Sequence, residues 1–282
     1  MCASRDGRRR GRPVLRRQQG QSTAGAAARP GPVKGLAVDL GSSGTRAWVP
    51  GLGLVTGGPA GTEGGVPRPV RRGRIVDAET CARLLGRLAD SALGDDREGV
   101  LVLSHPVLAG REHRALAGEI LASVGASRTV LLNSAGAAAA CAGGPVGGPV
   151  LVVDLGAELT EAALLVDGAV VDARQREAGL SDLEPRAVAA EVGRDVVDMI
   201  TSMWRQDRHG AVRGALRRGP LLTGGGAHRR DVTDRITSRL GGPVRIAPDP
   251  STAVVRGAAL YVDAVTGSAA RGAVSVRPVR QR

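Results

Sequence analysis

Two aspartates, Asp39 and Asp154, carry the clearest chemistry in this chain. Each closes an apolar run, Gly35-Leu-Ala-Val-Asp39 and Val150-Leu-Val-Val-Asp154, and each is followed by Leu-Gly, three variable residues and a threonine, Thr45 or Thr160. The two copies are offset by a constant 115 residues. A carboxylate at the end of a strand, beside a tight turn with open backbone N–H groups, suits Mg²⁺ held through water and phosphate oxygens held on the turn. Two such units facing each other would clamp a phosphate tail from both sides. The first turn then supplies Gly41, Ser42, Ser43, Gly44, Thr45 and Arg46, and the second Gly156, Ala157, Glu158 and Thr160. A third turn, Thr223-Gly224-Gly225-Gly226-Ala227, permits close backbone approach to a flat ligand such as an adenosine moiety.

Each of these residues also has a plainer use. Asp39 and Asp154 fit as turn or cap residues, and Arg46 as a solvated hairpin arginine. Asn133 and Ser134 read best as a cap for the Ala-rich helix after them. Glu158 would bring a like charge toward phosphates unless Mg²⁺ or an arginine intervenes. His105, His113, His209 and His228 are dispersed and take no assigned chemistry. Cys2, Cys81 and Cys141 lie far apart with no CxxC pair, which argues against a zinc site or a disulfide framework and for a reducing compartment.

The elements that must position these groups follow the same repeat. Strand signals run from Gly35 to Leu40, from Thr45 to Val49 and from Leu52 to Val55, then Val100 to Leu103 and Arg128 to Leu132, with helices after Asp77 and from Arg111 to Ser123. The second cycle starts at Val150, turns at Asp167-Gly168, and continues through Ser181-Asp-Leu-Glu184, which reads as a capping box opening a long helix. Leu221-Leu222, a strand at Val244 to Ile246 and a helix from Ser251 to Ala264 complete it. Trp204 and Met203, late in the long helix, are expected to pack inside. A repeated unit of strand, turn and hairpin with helices between implies an α/β fold of two related lobes around a cleft.

Charge and composition narrow the partners. The formal charge is +12, but residues 1–34 carry nine bases and one acid, residues 266–282 carry four arginines and no acid, and residues 35–265 balance at 26 of each sign. Nucleic-acid recognition is not what this balance describes: Phe is absent and the only aromatics are Trp48, Trp204 and Tyr261, too few for base-stacking platforms. The uncharged stretch Asn133 to Val153 holds seven Gly and Pro residues and is no membrane span. No apolar segment follows the N-terminal basic residues, so no signal-peptide core is read there.

The ordered motifs together resemble the actin-like ATPase superfamily, and most closely the bacterial actin MreB. Asp39 to Arg46 and Asp154 to Glu161 are similar to its two phosphate motifs, Leu221 to Ala227 to its adenosine motif, and Asp249 to Gly257 to the segment after it. Arg68-Pro-Val-Arg-Arg-Gly-Arg-Ile75 is similar to its RPLKDGVI segment. The resemblance implies an actin-like, ribonuclease H-like duplicated fold reduced to the IA and IIA core. Residues 1–34 are expected to form a basic disordered arm, 35–148 lobe I with 56–70 as the IB remnant, and 149–251 lobe II with IIB absent near 180–185. Residues 252–265 are expected to form a helix packing back on lobe I, and 266–282 a basic tail. It implies ATP and Mg²⁺ as cofactors, both weakened, because the family's acidic pair is replaced by Asn133 and Ser134 and leaves no catalytic residue. It further implies an accessory cytoskeletal role in cell shape and wall assembly, at the cytoplasmic face of the membrane. Partners would be actin-like subunits and membrane-associated envelope-synthesis proteins, with anionic lipid under the N-terminal arm. The alternatives from the same motifs are a small-molecule kinase of the sugar-kinase kind and a scaffold that needs no nucleotide.

Overall fold

The computed structural model describes residues 34–56, 68–95, 97–143, 147–207 and 209–271. The expected basic arm, most of the IB remnant and the end of the C-terminal tail lie outside those residues.

The two cycles of the sequence fold into two sheets of one topology. The first contains β1 (Lys34–Gly41), β2 (Gly44–Val49), β3 (Gly53–Thr56), β6 (Gly99–His105) and β7 (Arg128–Asn133), in the order β3-β2-β1-β6-β7. The small hairpin β4 (Val70–Arg71) and β5 (Arg74–Ile75) stands apart from it. The second sheet contains β8 (Val150–Leu155), β9 (Thr160–Val166), β10 (Ala169–Arg176), β11 (Leu221–Thr223) and β12 (Arg245–Ile246), in the order β10-β9-β8-β11-β12. In both sheets the first strand pairs antiparallel with its hairpin partner and parallel with the next crossover strand. The motif strands β1 and β8 are therefore central. Their carboxyl ends, with Asp39 and Asp154, fall where an open parallel sheet leaves a crevice.

Helices cover both faces. α1 (Ala78–Leu93) and α2 (Arg111–Val124) pack Cys81, Leu85, Leu93, Ile120 and Leu121 against Leu36, Val38, Leu101 and Leu103 of the first sheet. α4 (Val188–Gln206), α5 (Ala211–Arg218) and α6 (Arg230–Leu240) close one face of the second through Val192, Val196, Ile200, Met203, Val212 and Ile236. α3 (Ser134–Cys141) and α7 (Ala253–Arg271) serve both halves. α3 and the start of α7 pack on Val150, Val152 and Leu165, while Val255, Ala258 and Val262 of α7 pack on Ala37, Val100 and Val102. Arg256 of α7 also stacks over Trp48 of β2, 5.8 Å from the ring centre. Alanine and glycine dominate α3, and that lets it approach α7 at backbone distance: a Cβ on Gly257 would sit 1.7 Å from the carbonyl oxygen of Ala137.

Three expectations change. The stretch Ser181–Glu184 opens no helix; α4 starts at Val188. Pro185 disfavours helical backbone at Glu184 before it, and Asp182 instead accepts the N–H of Gly179 at 3.0 Å. The long helix is followed by a separate helix, α5, which the sequence pattern did not reveal. Met203 is fully buried, but Trp204 points outward with half its surface exposed.

Candidate functional site

The three glycine turns meet around one cavity of about 260 Å³ at the carboxyl ends of β1, β8 and β11. Asp39, Gly41, Ser42, Ser43 and Arg46 line it from the first half, and Asp154, Gly156, Ala157 and Glu158 from the second. Gly224, Gly225 and Gly226 line the remaining side with Leu180 and Ser181, and Ser134 also reaches the wall. Thr45, Gly44, Thr160 and Asn133 are not among the lining residues. Thr45 is buried, Gly44 pairs with Gly41 across the first hairpin, and the Thr160 hydroxyl donates to the Ala178 carbonyl at 3.0 Å. Asn133 caps α3 by accepting the Gly136 N–H at 2.7 Å.

Local chemistry fixes the turns. Gly156 donates to the Leu159 carbonyl at 3.0 Å and leaves only 2.5 Å between that oxygen and the place of a Cβ. The loop after β10 seals against this turn, with the N–H groups of Leu180 and Ser181 donating to Gly156 and Ala157. Gly224 takes φ +82°, donates to the Pro250 carbonyl at 2.8 Å, and would place a Cβ 2.3 Å from Asp154 Oδ1. Only glycine fits there, both for its backbone angle and for the carboxylate beside it. Arg46 pairs in register with Asp39, and its Nη1 lies 3.7 Å from the place of a Cβ on Gly41, so the guanidinium stands over the first turn.

The cavity floor holds carboxylates under strain from burial. Asp39 accepts the Ser104 hydroxyl at 2.6 Å, and its pKa is raised by burial against smaller opposing effects of that hydrogen bond and of Arg46. Asp154 is pushed up to about 7 by burial, then by the charge of Asp39. Glu161, on β9 beside Asp154, is pushed up to about 8 by burial and by the charge of Asp154. Its two oxygens accept the Val107 N–H at 2.8 Å and the Ser134 hydroxyl at 3.1 Å. Among the described residues no group of three or more His, Cys, Asp or Glu is arranged to hold a metal directly. Two desolvated carboxylates, of which the charge of Asp39 raises the pKa of Asp154, fit a divalent cation held through its waters, the usual habit of Mg²⁺ with phosphates. Asp39 and Asp154 would hold it.

A pH dependence follows with a definite sign. The folded-state pKa values of Asp154 and Glu161 lie above the ordinary 3.8 and 4.5, so the folded protein binds more protons than the unfolded chain over that window. Stability of the ligand-free protein falls as pH rises from about 4.5 through about 8 and then levels. Glu161→Gln is expected to flatten that slope and to be the more stable form at pH 8.5, by on the order of 1 kcal/mol. Melting temperature measured against pH for both proteins checks it, and parallel curves would refute it.

Comparisons with known proteins fit this geometry. The model of the MreB/Mbl protein family matches residues 60–186. A crystal structure of MreB5 of Spiroplasma citri bound to ADP superposes with a TM-score of 0.75 at 17% identity, covering 86% of this chain and 100% of that one. The same protein bound to AMPPNP gives 0.72 at 18%, with the same coverage. A MamK double helical filament gives 0.66 at 15%, covering 82% and 98%. No curated protein sequence matches. The chain has the actin-like fold. Its two sheets are the two lobes, and the cavity lies in the cleft between them.

Glu161 is the residue of this cleft that sequence reasoning passed over. It stood inside the second motif with no role, because nothing in one sequence says that its side chain meets Val107 and Ser134. The signal was there in outline: strand alternation from Asp154 across the hairpin puts Glu161 opposite it. Glu158, by contrast, is placed by sequence reasoning in the second phosphate turn, where its charge calls for Mg²⁺ or an arginine to intervene. Its carboxylate does not stand free among the phosphate positions; Arg68, Arg71 and the Arg72 N–H hold it.

Proposed function

We propose that the protein is an accessory MreB-like cytoskeletal protein in cell shape and cell-wall morphogenesis, with a cleft that takes Mg-ATP weakly and hydrolyses it slowly or not at all. The observation that carries the reading is the convergence of Asp39, Asp154 and the three glycine turns on one cavity. The nucleotide-bound state of the Spiroplasma citri structures supports ATP as the ligand. In this reading Asp39 and Asp154 hold Mg²⁺ through water, the turns at 41–46 and 156–160 hold phosphates, and Gly224 to Gly226 face the adenosine. Hydrolysis is slow because Asn133 is spent on capping α3 and Ser134 is no base at neutral pH.

Weak binding has a structural motive. The cavity is just below the range of about 300–1,000 Å³ usual for small-molecule sites. In addition, residues 177–187 pass from β10 to α4 with no strand or α-helix between. In this reading the outer subdomain that in the family helps hold the nucleotide is absent from lobe II near 180–185, and lobe I keeps a remnant of its counterpart at 56–70. Partners would be other actin-like subunits, as the MamK filament suggests, and envelope-synthesis proteins at the inner face of the membrane, with the basic arm on anionic lipid. Among the described residues no helix is long and apolar enough to cross a membrane.

Calorimetric titration with Mg-ATP, paired with pelleting alone and with a full-length MreB, tests the reading. The expected result is heat with a dissociation constant of about 10 μM or weaker, equivalent to about −7 kcal/mol, and co-pelleting with MreB. Absence of heat would remove the nucleotide, and absence of co-pelleting the cytoskeletal partner. Turnover that rises with added sugars would favour the kinase alternative.

A further inference from the structure

A cluster of charged contacts beside the cavity joins the two lobes. They involve a seven-residue arginine-rich segment, Arg68 to Arg74, of which the tip is the β4–β5 hairpin. We propose that this segment is a clasp that holds the lobes together without nucleotide, taking over the bridging that a bound phosphate tail would otherwise supply.

The grip is centred on Glu158. Its side chain is 4% exposed although it belongs to a surface turn, and it meets three donors from the opposite lobe. Arg68 Nη1 lies at 3.4 Å, Arg71 Nε at 3.1 Å and the Arg72 N–H at 3.0 Å. Arg72 adopts φ +48°, a left-handed conformation that side-chain-bearing residues avoid, followed by Gly73 at φ +73°. That tight reversal places the Arg72 amide against the carboxylate. The contacts then spread. Arg72 also reaches Asp182 at 3.4 Å, and Arg74 pairs with Glu177. Asp182 in turn accepts the Gly179 N–H, so the segment holds both the second phosphate turn and the loop sealed against it. The tip has no slack: a Cβ on Gly73 would lie 2.7 Å from Leu159 and 2.8 Å from Pro106, one in each lobe.

Four arginines face three acids here, with the central carboxylate buried and charge-assisted hydrogen bonds on it. Isolated surface pairs contribute little, but a buried carboxylate with several donors loses them all when the partner leaves. The clasp needs only the two-lobe fold and stands whether or not ATP binds. It also accounts for the small cavity, since the turn that should open to admit phosphate is tied across the cleft.

Amide hydrogen exchange of the nucleotide-free full chain tests it. Arg68 and Arg71 are 43% and 57% exposed, so Arg68→Gln with Arg71→Gln leaves the folded cores alone. The Val107 N–H, which donates to Glu161 across the lobes, is untouched by these changes and reports opening. In wild type it is expected to be protected without nucleotide, and in the double variant to exchange at least about tenfold faster. Strand amides Leu36 to Val38 and Leu151 to Val153 should exchange as before. Unchanged exchange at Val107, free exchange there in wild type, or equal acceleration of the strand amides would each overturn the clasp. No nucleotide enters the measurement, so failure of ATP binding leaves the result standing.

Discussion

Gly257→Ala is expected to lower the melting temperature by about 10 °C. The added methyl would lie 1.7 Å from the Ala137 oxygen, 2.4 Å from its carbon and 3.0 Å from its Cα. All three are backbone atoms of α3, so no side chain can swing aside, and α7 must move away from α3 along the layer that both lobes share. Overpacking of this kind costs about 3 kcal/mol or more, against a total stability of about 5–15 kcal/mol. Gly118→Ala is the matched control. It lies within α2 with open space around its Cβ position, and it should be neutral or stabilising by about 0.5–1 kcal/mol. Thermal denaturation of the two variants side by side checks the pair. A Gly257→Ala protein as stable as wild type would mean that α3 and α7 are not in backbone contact.

The second large effect is at the cavity floor. Asp39→Asn and Asp154→Asn should each weaken Mg-ATP binding by about 10- to 100-fold, the range for groups that hold a metal through its outer shell. The same variants should not unfold the protein. Burial raises the pKa of both carboxylates, and the charge of Asp39 further disfavours ionisation of Asp154. At pH 8 an ionised Asp154 is therefore a cost to the empty cleft, and Asp154→Asn should raise the melting temperature while lowering affinity. That opposed pair of changes separates a ligand-holding carboxylate from a structural one. Calorimetry with and without Mg²⁺, beside melting curves at pH 8, reads both. Equal Mg-ATP affinity in variant and wild type would exclude the two aspartates as metal holders, and loss of stability would make them structural.

Much of the architecture is written locally. The 115-residue offset between Asp39 and Asp154 announced two copies of one unit, and the structure returns two five-stranded sheets of identical strand order. The hairpin at Asp167-Gly168 was legible because both residues tolerate positive φ, and they take +49° and +79°. The Asn133 cap was legible for the same reason: a short side chain finds its partner three residues on. Helix α4 was misjudged at its start because a capping-box pattern was followed past Pro185. Helix α5 was missed because eight residues carrying three arginines give too short a period to read.

What the sequence determined by itself, then, is everything that depends on neighbours within one strand, turn or hairpin: the repeat, the carboxylates at strand ends, the glycines that permit the turns. What only the tertiary structure decided is which distant charges meet. Glu158 lies 87 residues from Arg71, and Glu161 54 residues from Val107. Spacing along a chain carries no information about pairs that far apart until the sheets stack and the lobes close. Burial depends on the same closure. A carboxylate looks alike in sequence whether it faces water, a cation or an arginine, and the cleft alone made Glu158 a tie between lobes and raised the pKa of Glu161 beside Asp154.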